Sequence, residues 1–159
     1  MRTYEGDMFA DFINPDALCI TTNGDTNTMG SLIMGAGNAK EARSRFPGLD
    51  VQFGKLVRDS GNRVHVVSIA DLGGTKRTVV SLPTKHSYKD ATSDLMLITT
   101  SLIQLLELAN KNKWQEIILP QPGTSNGKLN WETQVRPICE SFLDDRFIVV
   151  SRDDSTDKR

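Results

Sequence analysis

Residues Ala17–Thr22 read ALCITT, and the chain that follows them reads NGDTNTMGSLIMGAGN from Asn23 to Asn38. A six-residue apolar run has the length and character of a buried strand. The long stretch after it is rich in glycine, threonine and asparagine, and it closes on Met34-Gly35-Ala36-Gly37-Asn38-Ala39. A short helix is expected from Ala39 to Phe46, stopped by Pro47-Gly48. Strand, glycine loop and helix in that order form one unit of an α/β fold.

Working outward, the same alternation recurs. A first strand precedes Gly6-Asp7. Arg63–Ile69 (RVHVVSI) is β-branched and predicts a strand, and Thr78–Leu82 (TVVSL) predicts another, ended by Pro83. Ser93–Lys111 is the clearest helix, because Leu95, Ile98, Leu102, Leu105, Leu106 and Ala109 recur at three- and four-residue steps. Ser93 is a candidate cap, with Asp90 as the earlier alternative. Glu116–Leu119 is a short buried strand stopped by Pro120. Asn130–Asp144 predicts a helix capped by Asn130, with Pro137 requiring a kink or a later start. Arg146–Ser151 (RFIVVS) closes the series. Strands alternating with helices predict a mixed, mostly parallel sheet with helices on both faces. Ligands of such sheets sit beyond the carboxyl ends of the strands. The loops after Thr22, Leu82 and Leu119 are therefore the places to look.

The 159 residues fit one domain, expected over residues 1–151, with a charged tail at 152–159 (RDDSTDKR). The net charge of −1 supplies no global basic field for nucleic acid. Cys19 and Cys139 lie far apart without CxxC spacing, so two reduced, packed cysteines are expected, with no disulfide and no metal. No signal-peptide pattern and no run of 18 apolar residues is present. These features lead us to expect a cytoplasmic monomer, away from membranes.

The first loop can cradle an anion, since glycines admit close approach to backbone amides and the following helix start favours phosphate; it can equally be a turn that enters a helix. It is not the dinucleotide fingerprint, which needs glycine or alanine at Lys40. The second loop, Pro122-Gly123-Thr124-Ser125-Asn126-Gly127-Lys128, is not a P-loop: three residues separate its glycines, and Leu129 stands where a magnesium-binding hydroxyl belongs. A nest of amides for a diphosphate remains open, beside an ordinary βα turn. In the third loop, LPTKHSYK from Leu82 to Lys89, Lys85 can be a surface charge, a phosphate contact or an amine nucleophile. His86 beside it can move protons. His65, inside a strand, reads as a packed structural histidine, and Trp114 and Trp131 as residues in or near the core. Asp7 can accept from an adenine amino group or simply hold a turn. Lys76, Arg77, Lys85, His86 and Lys89 are a candidate local contact for DNA, or a solvated surface.

In order and spacing, these segments resemble the macro domain family from about Tyr4 to Val150. The matching pieces are Gly6-Asp7-Met8-Phe9, Met34 to Ala39 with Arg45-Phe46-Pro47, Leu119 to Gly123 with Asn126-Gly127 and Leu129 to Glu132, and Leu143 to Phe147. Leu82-Pro83-Thr84-Lys85 is similar to a strand-end motif of the branch that holds the terminal ADP-ribose protein glycohydrolase and a DNA-directed antitoxin. The resemblance implies a three-layer domain that binds ADP-ribose, or an ADP-ribosylated macromolecule, without a cofactor. It implies adenine contacts at Asp7 and Met8. It implies ribose and phosphate contacts at Thr22, Asn23, Met34, Gly35, Ala36, Gly37, Asn38 and Ala39. A diphosphate clasp follows for Gly123, Thr124, Ser125, Asn126 and Gly127. Lys85 becomes the expected nucleophile toward C1″ of the distal ribose, making the chain an ADP-ribosyl glycohydrolase. Two alternatives stand beside this: a binding module without chemistry, and a hydrolase of ADP-ribose 1″-phosphate or O-acetyl-ADP-ribose. Two departures bear on the choice. Gly127 occupies the position of the protein glycohydrolase's second-loop aspartate, while the DNA-directed relatives also have glycine there. Gly123-Thr124-Ser125 replaces the usual Gly-Cys-Gly. The stretch Asn23–Leu32 is long for the branch and is a candidate lid.

Overall fold

A computed structural model describes residues Met1 to Arg152. The expected tail, apart from Arg152, lies outside the described residues. Six strands form one sheet: β1 (Arg2–Glu5), β2 (Ala17–Thr22), β3 (His65–Ala70), β4 (Lys76–Pro83), β5 (Ile117–Pro120) and β6 (Phe147–Ser151), in the order β1-β6-β5-β2-β4-β3. All neighbours are parallel except β3 and β4. The expected mixed, mostly parallel sheet is what forms.

Strand β2 shows why a continuous apolar run belongs at the centre. Its side chains alternate between faces. Leu18 and Ile20 enter one core with Val79, Ala42, Phe46, Leu49 and Phe53. Ala17 and Cys19 enter the other with Val80, Ile98, Leu102, Leu105 and Cys139. The first core is covered by α1 (Gly37–Arg45) and α2 (Leu49–Ser60), the second by α3 (Leu95–Asn112) and α4 (Arg136–Phe142). Both cysteines are free and buried. Burial pushes the Cys139 thiol up to about 12 and raises Cys19 as well, so neither is a ready nucleophile. His65 is also buried, and its Nε2–H donates to the Gly61 carbonyl at 2.9 Å. Trp114 and Trp131 pack partly buried against the second core.

Three details differ from the sequence reading. Helix α2 was not expected, because Pro47-Gly48 reads as a stop. Gly48 instead turns the chain at φ 90° and starts a second helix, whose Leu49 and Phe53 are fully buried. Helix α3 is capped by Asp94 rather than Ser93 or Asp90: the Asp94 carboxylate accepts from the Met96 and Leu97 amides. The stretch expected as one helix from Asn130 begins as a π-helical turn, Trp131–Val135, and becomes α-helical at Arg136, with Pro137 in its first turn where no amide is needed. Asn130 does cap it, accepting from Thr133 N at 2.9 Å. No helix among the described residues is long and apolar enough to cross a membrane.

Candidate functional site

Because β2, β4 and β5 are parallel, Thr22, Pro83 and Pro120 end at the same edge of the sheet. The three loops that follow them meet there. A Cβ built on Gly37 of the first loop would come within 3.1 Å of the Asn126 side-chain nitrogen in the second. The Lys85 amine of the third loop donates to the Asn126 carbonyl at 3.4 Å. One glycine loop, the other glycine loop and the lysine thus converge on a single residue.

Lys85 is held from behind. Its amide and that of Thr84 donate to the Thr22 carbonyl, at 3.4 and 3.0 Å. Its carbonyl accepts from Asn62 Nδ2 at 3.0 Å. The backbone is fixed on two sides while the half-buried side chain reaches forward. Asn62 could not be found from sequence, since it sits 23 residues away in a turn after α2.

In the first loop Gly35, Ala36 and Gly37 are exposed, and Gly37 adopts φ 57° to enter α1. Met34 and Ala39 are buried supports. The Asn38 side chain is already engaged: Oδ1 accepts from Thr21 N at 2.9 Å and Nδ2 donates to Thr21 Oγ1 at 2.7 Å. It pins α1 to β2. Thr22 is buried, and Asn23 spans its own loop, donating to the Ile33 carbonyl and accepting from Asp25 N. Asp7 is exposed, with Oδ1 accepting from the amides of Phe9 and Ala10, a turn-holding role; Met8 is buried beneath it.

The second loop is built on α3. Gly123 is buried at φ 74°, and a Cβ there would come within 2.8 Å of Ile98 and 2.9 Å of Ser93. Gly127 lies against Ser93 Oγ and the Gly123 carbonyl, so no side chain fits at either position. An aspartate at 127 is thus excluded sterically as well as absent. Ser93 N donates to the Gly127 carbonyl at 3.0 Å. The Ser93 hydroxyl is buried and makes no hydrogen bond among the described residues. Thr124 is half-buried, its hydroxyl donating to the Gln121 carbonyl, whereas Ser125 and Asn126 are exposed.

The segment considered as a lid is instead a fixed wall. Gly24 N donates to the His86 carbonyl, and Asp25 Oδ2 accepts from Ser87 Oγ at 2.6 Å and from Tyr88 N at 3.1 Å. Leu32 is buried, and its amide donates to the Asp50 carbonyl. Gly54 of α2 lies so close to Gly30 and Ser31 that a Cβ would overlap their backbone. The tip, Asn27 to Met29, is exposed, and there the Met29 amide donates to Asn27 Oδ1.

The basic set also divides. Lys76 and Arg77 begin β4 while Lys85, His86 and Lys89 follow its end, about 23 Å or more away at the rise of an extended strand. Arg77 pairs with Asp71 at 3.3 Å. These five residues therefore form no single patch, and the solvated-surface alternative holds for Lys76 and Arg77. His86, Asp90, Ser93, Asp94 and Leu129 line an open groove beside the loops. Another groove, at Gln115 and Asp144–Arg146, lies at the opposite edge, where β5 and β6 begin. Among the described residues no group of three His, Cys, Asp or Glu side chains is placed to hold a metal ion.

No family model matches the sequence. It is 27% identical over 131 residues to the DNA ADP-ribosyl glycohydrolases of Mycobacterium tuberculosis and Mycobacterium bovis, covering 80% of this chain and 37% of theirs. The chain therefore spans little more than a third of the length of these curated relatives. The solved macrodomain of Mycobacterium tuberculosis DarG superposes with a TM-score of 0.73 at 25% identity, over 94% of this chain and 97% of that one. Thermosipho africanus DarTG in complex with ADP-ribose superposes with a TM-score of 0.74 at 20% identity, over 93% of this chain and 40% of that one. The chain has the macrodomain fold. Among proteins of that fold its likeness is to the DarG macrodomains.

Proposed function

We propose that this macro domain binds ADP-ribose across the three loops and hydrolyses an ADP-ribosyl linkage to a nucleic-acid base, with Lys85 as nucleophile. One observation carries the reading: the Lys85 amine rests on Asn126, where the two glycine loops meet. The first loop offers exposed glycine amides at the start of α1, and the second offers a turn at φ 74° that no side chain can fill. Backbone amides of this kind suit a diphosphate. Asp7 and Met8 flank the adenine end, with Asp7 Oδ2 left to accept an amino proton. Because Asn38 already bonds Thr21, its contribution is to aim the first loop rather than to grip the ribose directly.

In the chemical step the neutral Lys85 amine bonds to C1″ as the bond to the leaving group breaks, the electron pair departing with that group. Water then takes C1″ from the lysine. The blocked position 127 disfavours the protein-ester reaction that uses an aspartate there, and the curated relatives act on DNA by their names. Both favour a base-linked substrate; we propose further that the protein acts on it in the cytoplasm and as a monomer.

ADP-ribosylated DNA and ADP-ribosylated protein incubated with wild type and Lys85→Ala test this. Release from DNA is expected to fall at least about 100-fold in the variant, with ADP-ribose affinity kept within about threefold. Equal release by the two proteins would remove the nucleophile. The missing aspartate favours a second reading, a binding module; calorimetric binding of ADP-ribose with no turnover of any linked substrate is its signature.

A further inference from the structure

The proposed reaction lacks one part. A base leaving from C1″ takes an electron pair and needs a proton, and the second loop has no room for the acid that would deliver it. We propose that the groove lined by His86, Asp90, Thr92, Ser93, Asp94 and Leu129 receives the departing base, and that His86, oriented by Asp94, is the acid that protonates it. This rests on the glycohydrolase reading above.

The groove is open to solvent, with a volume of about 520 Å³. It adjoins the reacting end of the site, because Ser93 forms its floor and lies directly against Gly127, next to the Asn126 carbonyl that holds the lysine amine. Ser93 is only 6% exposed, and its buried hydroxyl makes no hydrogen bond among the described residues, so an unused polar group lies at the base of the groove. His86 directly follows Lys85 in the chain and lines the same groove.

His86 Nε2 lies 2.8 Å from Asp94 Oδ2. An ionised carboxylate only accepts, so Nε2 carries the hydrogen and Nδ1 is left for proton transfer. Asp94 is itself immobilised: its other oxygen accepts from the Met96 and Leu97 amides that open α3. The pair is built on a helix start, not on two loose side chains. The pair is not needed to hold the loop, which is already tied by Gly24 to the His86 carbonyl and by Asp25 to Ser87. Exposed ion pairs contribute little to stability in any case.

The step balances as follows. Lys85 Nζ bonds to C1″ while the C1″–nitrogen bond of the base breaks, and the His86 Nδ1 proton passes to the departing base. Water then gives its hydroxyl to C1″ and its proton to solvent, freeing Lys85 as the neutral amine, and solvent returns a proton to His86.

Two substrates separate an acid from a structural residue: an oligonucleotide bearing ADP-ribosyl-thymidine, and ADP-ribose carrying p-nitrophenol at C1″, whose nitrophenolate departs without a proton. His86→Gln is expected to lower turnover of the first by about 100-fold or more and of the second by less than about threefold. Asp94→Asn, which keeps a capping oxygen, is expected to repeat that split at smaller size. Equal losses on both substrates, or no loss with either, would overturn the assignment while Lys85-dependent turnover by wild type persists. An Asp94→Asn protein with wild-type rates on both would overturn the dyad. Wild type that binds ADP-ribose yet turns over neither substrate would overturn the hydrolase reading and the acid with it.

Discussion

The two glycine-rich loops look alike in sequence and are glycine-rich for opposite reasons. Around Gly35 there is nothing within 4 Å of a built Cβ, and Gly37 meets only the tip of Asn126. The first loop has open space at Gly35, and its glycines keep that space open. Around Gly123 and Gly127 the space is already full, occupied by Ser93, Ile98 and the loop's own carbonyl. The second loop is glycine-rich because α3 presses against it. One loop leaves its space open, and the other is filled by what is already packed.

That contrast predicts different costs for the same kind of change. Gly127→Asp should have the largest effect, destabilising the fold by about 3 kcal/mol through overlap with Ser93 and the Gly123 backbone. Chemical denaturation would measure it, and the double variant with Ser93→Gly should recover part of the loss. An unchanged midpoint for Gly127→Asp would mean that the second loop is as open as the first. Gly35→Ala should do the reverse: stability within about 0.5 kcal/mol of wild type, as for surface changes, and ADP-ribose affinity reduced about tenfold because a methyl group enters the ligand space. Calorimetry beside a melting curve reads both halves of that statement.

The smallest effect lies in the support beneath the second loop. Asp94→Ala should cost about 1 kcal/mol at pH 7 through the lost helix cap. The bond to His86, followed by the Met96 and Leu97 amides, holds the Asp94 carboxyl below the usual carboxylate range. A carboxyl lowered by folding stabilises fully above its unfolded value, about 3.9, and loses that contribution as pH falls through the lower folded value. The gap between variant and wild type should therefore narrow below about pH 4. A gap that widens in acid would contradict the assignment of the cap.

Much of this architecture was legible before any coordinates, and the reasons are local. Ala17–Thr22 is a continuous apolar run because both of its faces are buried, and β2 has the bounds read from sequence. The stripe through Ile98, Leu102, Leu105 and Ala109 marks α3 because only one side of that helix is covered. Helix α2 escaped because Pro47-Gly48 is ambiguous: the same pair that ends one helix can turn directly into the next, and Leu49, Phe53 and Leu56 carry the signal only once the stop is set aside. The candidate site was legible as three loops and a lysine, but not as a mechanism of support. Asn62 under Lys85, Ser93 under Gly127 and Asp94 beside His86 act across 23, 34 and 8 residues, and no local pattern encodes such pairings. The basic set divides for a related reason, since nearness along a strand is not nearness in space.

The close seating of Gly54 against Gly30 and Ser31 bears on how the molecule breathes. A long stretch rich in glycine and asparagine would ordinarily open and close on its own. Here Leu32 donates to Asp50 at the start of α2 and Ile33 donates to Asp25 within the stretch. The amides of Leu32 and Ile33 should then exchange with solvent on the timescale of the α2 amides, as one cooperative unit, rather than at the fast rate of a surface loop.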